Sequence, residues 1–117
     1  MNIILGKENI LGLDSKYLVL ELDTMRFGNS ADPVTAYCLI ENLPINEMLT
    51  LDQYSDLHEN LIRNYRLKNW NYCINAIEHL KGKWHGEVDS FYQDLLQRIT
   101  AIQDQELDDA WDGYLIR

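Results

Sequence analysis

Apolar and polar positions alternate along the first third of the chain and then change period. In "YLVLELDTMRF", residues 17–27, Leu18, Leu20 and Leu22 alternate with Val19, Glu21 and Asp23. A period of two with one clearly apolar face predicts a half-buried strand. "PVTAYCLIENL", residues 33–43, reads the same way, and "GNSADP" between them is a cluster of turn formers. The two segments form an expected hairpin. "NIIL", residues 2–5, is a third, shorter strand, and residues 9–16 are expected to turn.

After residue 50 the period becomes helical. Thr50 followed by Gln53 matches a capping box, and Tyr54, Leu57, Leu61 and Tyr65 recur at helical spacing as far as about Leu67. Asn69 is a suitable N-cap for a second helix with Trp70, Cys73, Ile74, Ile77 and Leu80 on its apolar side, closed by Gly82. A third helix is expected from near Glu87 to Ile102, with Val88, Phe91, Leu95, Ile99 and Ile102 as its stripe. Residues 104–117 form an acidic-aromatic tail, either docked or exposed. Three short strands cannot bury one face alone. The pattern therefore predicts one α+β domain over residues 1–117: an N-terminal antiparallel sheet of about three strands packed on a C-terminal bundle of about three helices. Its sheet edges invite pairing between chains, so a homo-oligomer, most simply a dimer, is expected.

Composition narrows the function. The 117 residues carry a net charge of −9. Residues 1–50 hold 3 basic and 7 acidic side chains, and residues 51–117 hold 7 and 12, so the acidity runs through both halves. Such a field repels nucleic acid and anionic membrane and favours a basic protein partner. No stretch approaches 18 apolar residues, which predicts no membrane span. "MNIILGKENI" lacks the basic and long apolar regions of a leader, so a cytoplasmic location is expected. Cys38 and Cys73 are expected to be buried thiols.

One stretch turns basic. "RNYRLKNWNYCINAIEHLKGKWH", residues 63–85, holds Arg63, Arg66, Lys68, Lys81 and Lys83 against Glu78 alone, with Tyr65, Trp70, Tyr72 and Trp84 among them. Basic residues interleaved with aromatics can read nucleic acid. On a helical hairpin, however, Tyr65 and Trp70 point to the core, and the cations fall at two helix C-termini, where the dipole favours them. An 11-residue helix separates its ends by roughly 16 Å, so the charges form two clusters and no stripe. Tyr72 and Trp84 remain as the candidates for exposure. Arg66, Lys68, Tyr72, Lys83, Trp84 and, in the tail, Trp111 are the candidate partner-binding residues.

Catalytic patterns are missing from the sequence. His58, His79 and His85 form no i, i+4 pair, and partly exposed histidines on a helix end and a loop are expected at His79 and His85; no metal or other cofactor is expected. The serines lie outside any G-x-S-x-G, and the glycines are isolated. Glu21 and Asp23 are expected to share a solvated strand face with Tyr17 and Val19. Glu106, Asp108, Asp109 and Asp112 belong to the acidic tail and lack a calcium-loop pattern.

Two resemblances accompany these readings. Residues 51–82 resemble a single tetratricopeptide-type helical hairpin, on Tyr65, the turn "LKN", Trp70, Cys73 and Ile77. Lys68 stands where that family has a turn glycine, and no second copy follows. The whole chain is similar to small acidic proteins of cyanophage genomes and marine metagenomes, on "LVLELDTMRFG", "VTAYCLIENLP" and "EHLKGKWHGEVDSFYQDLLQRI". That resemblance implies a phage or marine origin and no assigned activity. The expected function is a non-enzymatic protein–protein interaction or assembly factor. The alternatives are an acidic mimic that inhibits a nucleic-acid-binding protein, and an RNA- or DNA-binding module using residues 63–85.

Overall fold

The computed structural model describes residues 2–10, 18–27, 32–40, 45–107 and 111–116, with the backbone alone for 45–50 and 116. Most of the turn expected at 9–16, the hairpin loop at 28–31 and residues 41–44 lie outside the described residues.

The fold is α+β. Three antiparallel strands, β1 (Asn2–Leu5), β2 (Leu18–Arg26) and β3 (Val34–Ile40), are followed by α1 (Ile45–Arg66), α2 (Trp70–Leu80) and α3 (Asp89–Ile102). A two-residue strand from the tail, β4 (Leu115–Ile116), pairs in parallel with Met25 and Arg26 and completes a sheet of order β1-β3-β2-β4. The tail is therefore docked over residues 111–116. The sequence pattern contained no sign of this fourth strand, because two residues are too few to show a period.

Leu20 and Leu22 on β2, with Ala36, Cys38 and Ile40 on β3, form the buried face of the sheet. They join Leu61, Ile62 and Tyr65 of α1, Cys73, Ile77 and Leu80 of α2 and Phe91, Leu95 and Ile99 of α3 in one core. Helix α1 begins at Ile45, five residues before the expected capping box at Thr50. Glu47, Met48 and Leu49 are strong helix formers, and Pro44 precedes the first turn, so the helix has reason to start early.

The α1–α2 turn closes as a tight hairpin. Leu67 and Lys68 donate backbone N–H bonds to Arg63 and Tyr65, and Lys68 takes the left-handed conformation (φ 65) that a glycine would adopt without strain. Asn69 is the N-cap residue of α2, yet its side chain donates to Asn64 Oδ1 at 2.8 Å and leaves the helix N–H groups alone. At the other end Lys81 is the C-cap residue and Gly82 follows it at φ +77, as its place in the sequence suggested.

A bulge in β2 sorts its acids. Glu21 pairs with Tyr37 and Thr24 with Thr35, so Leu22 and Asp23 together oppose Ala36. Glu21 and Asp23 do not share the simple alternating face expected of them. Asp23 is gripped by Arg98 of α3 through two 2.9 Å bonds, with the side chains only 18% and 19% exposed. Asp23 is thus an internal ion-pair partner and not part of a solvated face; Tyr17 lies outside the described residues.

Candidate functional site

The six candidate partner-binding residues go to four different places. Arg66, at the end of α1, reaches back to the sheet. Its Nη2 donates to Thr24 Oγ1 at 3.0 Å and lies 3.5 Å from Glu21 Oε1. Arg66 and Arg26 both approach the Tyr114 ring, at 5.4 and 5.1 Å from its centroid, while Arg26 also donates to Asp112 Oδ2 at 2.8 Å. Arg26 holds the Asp112 carboxyl below its usual pKa, helped by the Tyr114 backbone N–H. Arg66 is therefore a clasp for the docked tail.

Trp111 belongs to the same clasp. Its ring meets Tyr65 and Trp70 edge-on at 5.5 and 5.7 Å, and those two rings stand 5.8 Å apart, so the three form a closed aromatic cluster. Lys68 Nζ lies 6.0 Å from the Trp111 centroid. Beside it, Lys68, Asn69, Trp70, Asn71, Tyr72 and Gln103 line an open groove of about 430 Å³. Tyr72 is 39% exposed there, as expected. Lys68 and Tyr72 are the candidates that the fold brings together at an accessible surface.

Trp84 corrects the expectation of exposure: it is wholly buried. Gly82 and Gly86, both at positive φ, turn the chain on either side of it and fold the indole inward. Buried indole N–H groups need an acceptor, and Trp84 Nε1 donates to the Tyr92 hydroxyl at 2.8 Å. Lys83, its neighbour, stays outside with its ammonium 5.2 Å from the Tyr54 ring centroid. It is remote in role from the Lys68–Tyr72 groove.

His58 lies on the other side of the Tyr92 hydroxyl. It is mid-helix and 1% exposed. Its Nε2 lies 2.5 Å from the Glu21 carbonyl oxygen and its Nδ1 2.8 Å from the Tyr92 hydroxyl. A carbonyl only accepts, so Nε2 carries the proton and Nδ1 accepts from Tyr92. The result is one directed chain: the Trp84 indole donates to Tyr92, Tyr92 donates to His58, and His58 donates to β2. Burial lowers the His58 pKa, with the Glu21 bond working the other way. Burial raises that of Tyr92, with the Trp84 bond opposing. Both shifts favour the neutral forms that this chain of bonds requires. His58 was findable: it falls four residues after Tyr54 and four before Ile62, on the apolar stripe of α1.

Beside His58 a cavity of about 370 Å³ opens between β2 and α1. Val19, Leu20 and Ile10 supply its apolar surface, and Glu21, Tyr37, Ser55, Glu59 and Lys7 its polar groups. The Tyr37 hydroxyl pKa is raised by burial and then by the Glu21 charge. Along the same side of α1, Asp52, Asp56 and Glu59 are exposed at helical spacing and make no ion pair with any described residue.

The arginines of the sheet and bundle are used differently. Burial opposes the Arg98 charge, but its bonds to Asp23 and Asp94 outweigh that and raise the guanidinium pKa. Arg26, Arg66 and Arg98 all hold carboxylates of this chain. Cys38 and Cys73 are free and fully buried, and burial pushes each thiol up to about 11. Among the described residues no three His, Cys, Asp or Glu side chains are placed to hold a metal ion, and no helix is long and apolar enough to cross a membrane. Comparison with known protein families, curated proteins and solved structures gave no match.

Proposed function

We propose that the chain is a non-enzymatic protein–protein interaction factor that engages a basic partner in the cytoplasm, a host cytoplasm if the gene is phage-borne. The observation that supports this is the partition of charge. Arg26, Arg66 and Arg98 face inward onto this chain's own acids, while Asp52, Asp56 and Glu59 line one exposed side of α1. That row adjoins the cavity holding Glu21, Ser55 and Tyr37. A basic side chain from a partner would meet Asp52, Asp56 and Glu59, which make no ion pair with any described residue. An apolar stem would lie against Val19 and Ile10.

The same row supports the narrower reading of an acidic mimic. Asp52 and Asp56 are one i, i+4 step apart, about 6 Å along the axis, a linear array of negative charge that a nucleic-acid-binding surface would accept. The nucleic-acid-binding reading has less to stand on, since Arg66 is clasped to the sheet and Trp84 is buried.

A salt series on binding to a lysine-rich peptide tests the proposal. Affinity should fall as salt rises and should be lost when Asp52, Asp56 and Glu59 are all replaced by lysine. Binding indifferent to that triple replacement would overturn it. A labelled oligonucleotide that shifts at about 50 mM salt, and stops shifting with Arg66→Glu and Lys68→Glu, would establish the nucleic-acid reading in its place.

A further inference from the structure

The two edges of the sheet are treated differently. On the β2 side the Glu21 carbonyl is taken by His58, and Met25 and Arg26 are covered by β4. On the β1 side the ladder phase can be read from one bond. Gly6 N–H donates to the Thr35 carbonyl at 2.9 Å. In an antiparallel ladder the direction alternates by residue, so Asn2 and Ile4 also point at β3 while Ile3 and Leu5 point outward. Asn9 Nδ2 donates to the Leu5 carbonyl at 2.6 Å and closes that position. The Ile3 N–H, the Ile3 carbonyl and the Leu5 N–H have no partner among the described residues.

The side chains follow the same division. Ile3 pairs with Cys38 and Leu5 with Ala36, on the face that the helices bury. Cys38 and Ala36 are buried, yet Ile3 and Leu5 are each 48% exposed, so the helical cover ends at β3. Native sheets usually blunt such an edge with charge. Asn2–Leu5 carries none.

We infer that β1 is a self-pairing edge: two copies of this chain join antiparallel about a two-fold axis at Ile3 and extend the sheet across both. A two-fold at Ile3 matches the N–H and carbonyl of one Ile3 with the carbonyl and N–H of the other, a reciprocal pair that needs no other sequence. It also stacks the two Ile3 side chains on the helix-covered face. The Asn9 cap on Leu5 stops a longer foreign strand from continuing the ladder. Charge opposes any pairing of copies, since each brings a net charge of −9, but Asn2–Leu5 carries no charge, so two such chains can meet at β1 with no like-charged side chains opposed. A strand pair of this length buries far less than the roughly 1,600 Å² of a standard interface, so the association is weak and reversible.

Sedimentation of the full chain over a concentration series tests this. The 13.8 kDa monomer should move toward twice its mass as concentration approaches about 1 mM, a range suited to a small interface. Added salt should strengthen the association, because it screens repulsion between two acidic chains. Ile3→Lys should weaken it by at least about tenfold, as should Ile3→Pro, which removes the outward N–H and no ladder bond to β3; circular dichroism confirms that each variant folds. Hydrogen exchange gives a second readout. The Ile3 amide should become protected only at high concentration, and the Ile4 amide, bonded to Tyr37, at every concentration. A monomer at about 1 mM in high salt, association that salt weakens, or a dimer untouched by both variants would each overturn the inference. None of these results bears on binding of a basic partner by α1.

Discussion

Tyr92 gives its hydroxyl proton to His58 Nδ1 across 2.8 Å, and its neighbours leave it no other arrangement. Trp84 must donate to Tyr92, and His58 must donate to the Glu21 carbonyl. Helix α3, helix α1, strand β2 and the turn before α3 are joined through this one chain of bonds.

Protonation of His58 would break that direction. A charged imidazole donates from both nitrogens, which strands the Tyr92 proton in a buried site. The folded pKa of His58 is lowered from its ordinary value. Between the folded pKa and the unfolded value of about 6.5, the unfolded chain therefore binds a proton that the folded chain refuses. Stability is complete above about pH 6.5 and falls as the pH drops below it, by up to about 1.4 kcal/mol per pH unit. Melting temperatures from pH 8 to pH 5 measure this, and His58→Gln should flatten the profile across that window. Tyr92→Phe should cost about 2–3 kcal/mol at neutral pH, by leaving the Trp84 N–H and His58 Nδ1 without partners.

Lys68 holds a conformation that suits glycine. Left-handed backbone costs a side-chain-bearing residue about 1–2 kcal/mol, and glycine's extra unfolded freedom offsets about half of that. Lys68→Gly should relieve that strain and stabilise the fold by about 0.5 kcal/mol, after loss of the side-chain contacts of Lys68, the one with Trp111 among them. Chemical denaturation would show it as a higher midpoint at unchanged slope. A lower midpoint would mean that the contacts of the Lys68 side chain outweigh the backbone strain.

Arg98 holds two carboxylates in unequal surroundings. Asp23 is 18% exposed and Asp94 is 62% exposed. Asp23→Ala should cost about 2–3 kcal/mol, since it leaves a largely buried guanidinium short of partners. Asp94→Ala should cost less than about 0.5 kcal/mol, as exposed i, i+4 pairs do. Equal losses from the two, measured by urea unfolding, would contradict this division.

Cys38 and Cys73 should be silent toward thiol reagents in the native state. Each is fully buried with its pKa pushed up to about 11. At pH 8 the thiolate is scarce, and reagent reaches the sulfur only through opening of the core. Labelling should be slower than for the unfolded chain by at least about 10³. Labelling of either at the rate of a free thiol in native buffer would show that the core is open there.

What the sequence made legible is what repeats. Leu18, Leu20 and Leu22 marked β2 by period two, and Cys73, Ile77 and Leu80 marked α2 by helical spacing. Gly82 marked where α2 stops. Features made by one residue meeting another far along the chain had no such trace. The bulge parts Glu21 from Asp23, and Asp23 meets its partner in Arg98, 75 residues onward. The burial of Trp84 depends on a hydroxyl on α3. Strand β4 lies beside the contacts of Arg26 and Arg66 with Tyr114 and of Arg26 with Asp112, while Leu115 and Ile116 have no pattern of their own. Of the candidate surface, Lys68 and Tyr72 were readable as helix-end and helix-face residues. The acidic row on α1 was hidden in plain composition, since its meaning comes from which cations turn away.

The aromatic cluster closes late in the life of each molecule. Tyr65 and Trp70 leave the ribosome roughly 40 residues before Trp111, which is about 2–8 s at ordinary elongation rates. For that interval two ring edges at the α1–α2 turn stand open, and a nascent chain offers there a greasy surface that the finished protein covers with its own tail.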